Sequence, residues 1–258
     1  MRYAPGSPPA EEQDHLAVEE PVEIRVDTRP VSVTMRTPGH DEELALGFLL
    51  SEGLIHSASD VLKTAVRADE QTNVVDVFLA PGTAIDFARL TRHVFASSSC
   101  GLCGKATIEA VHQQFPPVTS PMRVTTKILR SLSAQLQDSQ ELFNRTGGLH
   151  AAALFDDTGK LLVLREDVGR HNAVDKVLGY GLRVNAIPFE RHILLVSGRA
   201  SFEIVQKALA ARIPIVAAVS APSSLAVEFA EQSGQTLIGF LRGERMNVYS
   251  FRERVEGF

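Results

Sequence analysis

Hydrophobic and polar positions alternate near the start of the chain, just after a segment rich in proline and acidic residues. Apolar residues occupy every second position over 22–26 and again over 31–35, with a turn at 28–30 between them. Because successive side chains of a strand point to opposite faces, this spacing predicts a β-hairpin. The spacing becomes helical from Leu44 to Leu50, and Gly53 is expected to end that helix.

The rest of the first half contains shorter patterns. Residues 61–66 and 73–79 have strand-like patterns, which predicts two more strands. Residues 86–95 are expected to form a short helix. This mixture of strands and helices indicates an α+β unit.

The middle of the chain predicts a helix, a hairpin and a second helix. Thr126 to Leu142 is amphipathic with helical spacing. Apolar runs at 151–155 and 160–164 flank the sequence Asp-Asp-Thr-Gly, which is a hairpin signal. A helix is expected over 170–178, and Gly179 is expected to end it.

The last third repeats the order strand, turn and helix. Apolar runs at 192–196, 214–219 and 236–240 alternate with helical patterns at 201–211 and 224–232. This order predicts βαβ units, in which consecutive strands are parallel. The runs are nearly continuous, as in strands that are covered on both faces.

Together these patterns predict an α/β protein with a smaller α+β unit in front of it. Residues 1–20 are expected to form a flexible tail. Residues 21–120 are expected to form an N-terminal α+β domain that ends in a loop with both cysteines. Residues 121–258 are expected to form an α/β domain with a parallel or mixed sheet.

Small and basic residues follow each of the three predicted parallel strands. The segments are Ser197-Gly198-Arg199, Ser220 to Ser223, and Arg242 to Arg245. In open parallel sheets ligands bind at the carboxyl ends of the strands, where helix N-termini and arginines can hold an anion. The alternative is that the small residues only make tight turns and the arginines are solvated. None of the segments is a P-loop or a GxGxxG motif.

Composition narrows the classes of function. The 258 residues are 44% hydrophobic and 22% charged with a net charge of −5, which indicates a globular protein and not a general nucleic-acid binder. No apolar run is long enough to cross a bilayer, and the N-terminal residues lack the apolar core of a signal peptide. Two cysteines are too few for a secreted disulfide framework, so we expect a cytoplasmic protein.

The two cysteines, Cys100 and Cys103, are three residues apart among serines and glycines. Their spacing suits half of a zinc site, a dithiol redox pair, or a nucleophilic thiolate that accepts sulfur as a persulfide and passes it on. A zinc site needs two more ligands, and His112, His150 and His171 have no ligand-like spacing. The remaining alternative is two inert thiols, although the polar context argues against burial.

A second group of ionisable residues spans Glu166 to Lys176, at the end of a predicted strand. Asp167 is a candidate helix N-cap, and His171 and Asp175 are one helical turn apart. His171 is therefore a candidate general acid or base, or a hydrogen-bond donor to a ligand. The alternative is a capped helix start with ordinary salt bridges.

Six segments together resemble one known family, the formate dehydrogenase accessory proteins that act as sulfur carriers. They lie between Val22 and Tyr249, at 45–53, 99–104, 166–176, 197–203, 219–226 and 240–245. The resemblance implies that the protein takes sulfur from a cysteine desulfurase and delivers it to the molybdenum bis(molybdopterin guanine dinucleotide) cofactor, which activates formate dehydrogenase. It also implies a homodimer and a cytidine-deaminase-like second domain, and we expect no tightly held metal.

The resemblance also implies roles for individual residues. Cys100 would hold the persulfide, Cys103 would assist or replace it, and residues 240–245 would contact the cofactor. Joined with the strand-end argument and the candidate histidine, the expected cofactor site comprises Phe240, Leu241, Arg242, Gly243, Glu244, Arg245, Ser197, Gly198, Arg199, Ser220 and His171. The guanine dinucleotide contains phosphates, which agrees with an anion site at the strand ends.

Three other functions differ in the residues that they need. Deaminase activity is rejected, because zinc deaminases have His-x-Glu followed by Pro-Cys-x-x-Cys. Here His150 is followed by two alanines, and the cysteine pair precedes it. A chaperone that binds the cofactor and the dehydrogenase without carrying sulfur would need neither cysteine, and a structural zinc module would hold one zinc ion through Cys100.

Overall fold

The computed structural model describes residues 11, 13–68, 73–83, 85 and 104–257. Within these ranges the chain forms two main sheets and the helices that pack on them.

The first sheet has four strands. They are β1 (Glu20–Val26), β2 (Arg29–Arg36), β3 (Val61–Ala68) and β4 (Asn73–Leu79), in the order β2-β1-β4-β3. β1 and β2 form an antiparallel hairpin, and helix α1 (Asp41–Ser51) follows it. The predicted hairpin, helix and two later strands are confirmed, while the helix predicted over 86–95 lies outside the described residues.

The second sheet has six strands in the order β11-β10-β9-β8-β6-β7. They are β6 (His150–Asp156), β7 (Leu161–Asp167), β8 (His192–Val196), β9 (Ile215–Ala218), β10 (Thr236–Arg242) and β11 (Arg245–Val248). β8, β9 and β10 are parallel, which confirms the prediction from the repeated strand–helix order. β6 is antiparallel to both of its neighbours and β11 is antiparallel to β10, so the sheet is mixed. Separately, β5 (Val124–Thr125) pairs with β12 (Val255–Glu256).

Six further helices occur in the described part of the chain. They are α2 (Gly104–Gln114), α3 (Thr126–Asp138), α4 (Glu141–Thr146), α5 (Arg170–Arg183), α6 (Phe202–Ala210) and α7 (Ser224–Gln232). Short 3-10 turns occur at Ala58–Asp60 and Arg252–Arg254. None of the helices in the described ranges is both long enough and apolar enough to cross a membrane.

The six-stranded sheet is covered on both faces, because its side chains alternate between two hydrophobic clusters. Leu194 and Val196 of β8 belong to the cluster that contains α1, α5, α6 and α7. Ile193 and Leu195 belong to the cluster that contains α3. The first cluster also includes β1 and β4, so a single core continues across the expected domain boundary between residues 120 and 121.

α5 continues past Gly179, so the prediction that this glycine ends the helix is wrong. Gly179 allows close packing instead, because a Cβ atom there would lie 1.8 Å from the carbonyl oxygen of Glu43. Gly47 makes the reciprocal contact from α1, since its Cβ atom would lie 1.8 Å from the carbonyl oxygen of Asp175. The two glycines let the backbones of α1 and α5 touch.

The single helix predicted over 126–142 is wrong, because a break at 139–140 separates α3 from α4. The N–H groups of Leu142 and Phe143 donate to the Glu166 carboxylate at 2.9 and 2.8 Å. A side chain from β7 therefore satisfies the free N–H groups at the start of α4. This acceptor comes from another element, so helical spacing cannot reveal it.

Candidate functional site

The predicted strand-end segments meet at one edge of the six-stranded sheet. β7, β8, β9 and β10 all end at this edge, and β6 begins there because it runs in the opposite direction. Residues that follow four different strands therefore share this edge with His150, the first residue of β6. Ligand sites of open α/β sheets lie at such an edge.

A cavity of about 760 Å³, which we call the large cavity, lies at this edge between the strand ends and the α3–α4 segment. The sheet side contributes His150, Ser197, Val219, Leu241, Arg242 and Gly243. The helical side contributes Ser133, Leu136, Gln137, Gln140, Phe143 and Leu149. The volume and the mixture of apolar walls with a few polar groups are typical of sites for small molecules.

Hydrogen bonds hold the sheet side of the large cavity in place. Ser197 Oγ accepts from a backbone N–H of β6 at 2.9 Å, which ties the end of β8 to β6. Gly243 N–H donates to Ser133 Oγ at 3.2 Å. Arg242 Nε donates to the carbonyl oxygen of Val219 at 2.9 Å. Within the described ranges this bond leaves both terminal nitrogens of the Arg242 guanidinium available to an anion.

A second cavity of about 530 Å³, which we call the arginine cavity, shares Arg242 with the large one. Arg130, Arg245 and Glu244 also line it, and Arg130 Nη1 lies 3.1 Å from a Glu244 carboxylate oxygen. Three arginines against one glutamate give this cavity a positive charge. By contrast, the large cavity has little charge: among the described residues that line it, Arg242 is the only arginine, lysine, aspartate or glutamate.

Phe240 lines the arginine cavity in a strained backbone conformation. Its φ is +54°, in the left-handed region that disfavours bulky residues. Here the pairing of β10 with β11 is irregular between Gly239 and Arg242. Phe240 N–H donates to the Ser220 carbonyl oxygen at 3.1 Å, which joins the ends of β9 and β10. The segment Arg242–Arg245 forms the turn between β10 and the antiparallel strand β11.

His150 lines the large cavity, and sequence reasoning did not include it among the ligand-binding residues. Burial lowers the pKa of His150, and the nearby charges of Arg170 and His171 lower it further. Gly198 lies between these groups, since a Cβ atom there would lie 3.5 Å from His150 Nδ1 and 3.8 Å from Arg170 Cδ. At neutral pH the imidazole is therefore uncharged, and it can both donate and accept a hydrogen bond.

His171 is paired with the start of α6. Its Nε2 lies 3.1 Å from Glu203 Oε2 and 3.5 Å from Ser201 Oγ. The hydrogen bond with His171 is the main reason that the pKa of Glu203 falls to about 2. His171 is not among the described residues that line the two cavities.

Asp167 organises the turn before α5, although the N-cap residue is Gly169 and not Asp167 as predicted. Its buried carboxylate accepts from the N–H groups of Thr37 and Gly169 at 3.1 and 2.8 Å. Asn172 Nδ2 donates to it at 3.0 Å, and Lys176 Nζ lies 2.7 Å away. These contacts fix the backbone that places the first turn of α5 at the sheet edge.

The structure separates the predicted cofactor-site residues into three groups. The large cavity is lined by Ser197, Leu241, Arg242 and Gly243, and the arginine cavity by Phe240, Arg242, Glu244 and Arg245. Gly198, Arg199, Ser220 and His171 lie at the same edge but do not line these two cavities. Arg199 is exposed.

Cys100 and Cys103 lie outside the described residues. The described chain continues from Gly104, the first residue of α2. α2 is attached to the end of α1, because Gln114 Nε2 donates to the carbonyl oxygen of Glu52 at 3.0 Å. Among the described residues, no group of three or more histidine, cysteine, aspartate or glutamate side chains is arranged to hold a metal ion.

Sequence reasoning missed the helical wall of the large cavity. Ser133, Gln137, Gln140 and Phe143 line it, but the amphipathic pattern of this segment only distinguishes a buried side from a polar side. No local signal separates these residues from ordinary surface residues, because the break between α3 and α4 depends on Glu166.

This is a mixed α/β protein with an apolar cavity and an arginine-lined cavity side by side at the carboxyl edge of a partly parallel sheet. The model of the FdhD/NarQ family matches residues 17–256. The chain belongs to this family.

Individual relatives match nearly the whole chain. Sulfur carrier protein FdhD of Streptomyces coelicolor is 53% identical over 251 residues, which cover 94% of this chain and 89% of that protein. Sulfur carrier protein FdhD of Mycobacterium tuberculosis is 52% identical over 251 residues, which cover 93% and 91%. The crystal structure of a formate dehydrogenase accessory protein from Desulfotalea psychrophila is similar, with a TM-score of 0.75 and 29% identity over 94% of this chain and 91% of that chain.

Proposed function

We propose that this protein is a sulfur carrier for formate dehydrogenase. It accepts sulfur from a cysteine desulfurase and transfers it to the molybdenum bis(molybdopterin guanine dinucleotide) cofactor, so it acts as a sulfurtransferase. The observation that carries the proposal is the identity of about half of all residues with proteins named sulfur carrier protein FdhD. The similarity to a formate dehydrogenase accessory protein supports the dehydrogenase as the partner.

Cys100 is the proposed carrier residue. Its thiolate attacks the outer sulfur of the desulfurase persulfide, the sulfur–sulfur bond of the donor breaks, and the desulfurase cysteine leaves as a thiolate. Cys100 then holds the outer sulfur as a persulfide. In the second transfer the metal supplies the electron pair of the new molybdenum–sulfur bond, and the pair of the broken sulfur–sulfur bond returns to Cys100 as a thiolate. Cys103 assists or replaces Cys100.

The lining of the two adjoining cavities supports the proposal that the substrate contains both rings and phosphates. The apolar walls of the large cavity suit a flat ring system. Arg130, Arg242 and Arg245 of the arginine cavity suit a diphosphate, because guanidinium groups bind phosphate oxygens in pairs. A molybdopterin guanine dinucleotide contains both parts, and it enters here as the substrate of sulfur transfer.

The resemblance to the family extends the proposal to the oligomeric state, the location and the second domain of the protein. We propose a homodimer in the cytoplasm and a cytidine-deaminase-like second domain, which the parallel strands β8 to β10 and their helices support. Deaminase chemistry is not part of the proposal, because Ala151 and Ala152 follow His150 where a zinc deaminase needs a glutamate.

Intact-mass measurement tests the carrier role. The purified protein is incubated with a cysteine desulfurase and cysteine, and we expect a mass gain of one sulfur atom, mapped to the peptide that contains Cys100 and Cys103. Cys100→Ala is expected to keep the circular dichroism spectrum and to lose the activation of formate dehydrogenase. Normal activation by Cys100→Ala would show that Cys100 is not the carrier.

Two other outcomes would replace the proposal with a different function. If both cysteines can be replaced without loss while Arg242→Ala and Arg245→Ala abolish activation, the protein is a cofactor-binding chaperone that carries no sulfur. If metal measurement finds one zinc ion per chain that is lost with Cys100→Ala, the cysteine pair belongs to a structural zinc module.

A further inference from the structure

Gln140 lines the large cavity with a side-chain amide that has no hydrogen-bond partner among the described residues. The residue is only 6% exposed and is one of the residues that line the cavity. It occupies the N-cap position of α4, but its side chain makes no capping hydrogen bond. Within the described part of the chain, only its backbone is hydrogen-bonded. Its amide atoms are accessible from the cavity, so a ligand that binds there can form hydrogen bonds with them.

The surroundings of Gln140 are those of a ring-binding pocket. Leu136 and Leu149 provide apolar walls, and Phe143 provides a half-exposed aromatic side chain. The backbone of Phe143 is held by the Glu166 carboxylate, so this wall is anchored to β7 before any ligand arrives. A flat ring in this cavity would gain apolar and stacking contacts, and it would place its polar edge against a group that lacks partners.

The chemistry of an amide defines the edge that it can bind. The carboxamide oxygen accepts and the NH₂ group donates, so Gln140 is satisfied by a ring that presents an N–H next to a carbonyl oxygen. Guanine and pterin rings present this lactam edge. We propose that Gln140 is a specificity-determining residue that binds the lactam edge of the ring held in the large cavity. This inference rests on the proposed function, which supplies a substrate with such rings.

Gln135 provides a matched comparison on α3. Its side chain is satisfied inside the protein, because Nε2 donates to the carbonyl oxygen of Gly159 at 3.0 Å. It does not line the large cavity. The same substitution is therefore expected to lower stability at Gln135 but not at Gln140.

Calorimetry with GDP as the probe tests the proposal on the full-length protein. Gln140→Leu is expected to weaken GDP binding about tenfold, the effect of one or two ordinary hydrogen bonds, and to leave the melting temperature of the ligand-free protein nearly unchanged. Gln135→Leu is expected to leave GDP binding unchanged and to lower the melting temperature. Gln140→Glu keeps the shape but loses the NH₂ donor, so it should also weaken GDP binding.

A second ligand separates recognition of the lactam from binding in general. The 5′-diphosphate of purine riboside has no lactam edge, so it should bind more weakly than GDP and be insensitive to Gln140→Leu. Equal GDP affinities of wild type and Gln140→Leu, equal losses for both ligands, or no GDP binding by the wild type would overturn the proposal. Sulfur loading of the wild-type protein is measured separately by intact mass, so its failure is distinguished from a failure of ring recognition.

Discussion

Lys207 Nζ lies 2.9 Å from both carboxylate oxygens of Asp175, and both side chains are buried. Ser51 Oγ lies 2.8 Å from Lys207 Nζ and donates to Asp175 at 3.0 Å. Lys207 belongs to α6, Asp175 to α5 and Ser51 to α1. This cluster of two charged side chains and one hydroxyl group therefore connects three helices, of which α5 and α6 follow turns at the sheet edge. Such a pair holds helices in register, and its loss leaves a buried charge behind.

Lys207→Met is expected to lower the free energy of unfolding by about 3–5 kcal/mol, because the Asp175 carboxylate loses its buried counter-charge. Urea unfolding measures the effect. The double variant Lys207→Met/Asp175→Leu is the control, since it removes both charges together and should be much closer to wild type. A double variant that is as unstable as the sum of the two single variants would contradict this explanation.

Gly179→Ala is expected to destabilise the protein, although alanine is the better helix former by about 1 kcal/mol. The added methyl group would meet the backbone of Glu43 at 1.8 Å, so α1 and α5 must separate. Forced overpacking of this kind costs about 1–3 kcal/mol. Thermal unfolding checks the sign: an unchanged or higher melting temperature would show that the helices do not pack as described.

Arg242→Gln is expected to weaken GDP binding about 10- to 100-fold, which corresponds to the loss of charge-assisted hydrogen bonds of about 1.5–3 kcal/mol. The reason is its position on both cavities, with its Nε held by Val219 and its terminal nitrogens available. Arg123→Gln is the control, because Arg123 is exposed and lines neither cavity. Equal losses in the two variants would indicate a general effect of charge.

The free energy of unfolding is expected to fall as the pH decreases below about 6.5, which is the ordinary pKa of a histidine side chain. Burial lowers the pKa of His40, His112, His150 and His192. In this window the unfolded chain therefore binds more protons than the folded one, so acid favours unfolding. Urea unfolding at neutral pH and at pH about 5.5 measures the difference, and a flat profile for these two conditions would contradict it.

Local patterns predicted most elements of this fold, because a strand or helix that buries one face has apolar residues at a regular spacing in the sequence. The hairpin of β1 and β2, helix α1, and the parallel strands β8 to β10 all follow from such traces. The predicted helix ends at Leu142 and Gly179 failed for a shared reason. The first depends on the Glu166 carboxylate and the second on contact with Glu43, which are tertiary interactions.

Local sequence patterns were enough to predict the order and type of the elements, the sheet edge with the small and basic residues, and the resemblance to a family. The folded chain was needed to show that Ser197, Arg242 and Gly243 line one cavity together with Gln140 and His150, and that Arg199 does not line it. Periodicity reports whether a side chain is buried. Convergence on a cavity depends on strand register and on contacts between distant residues, which no local pattern contains.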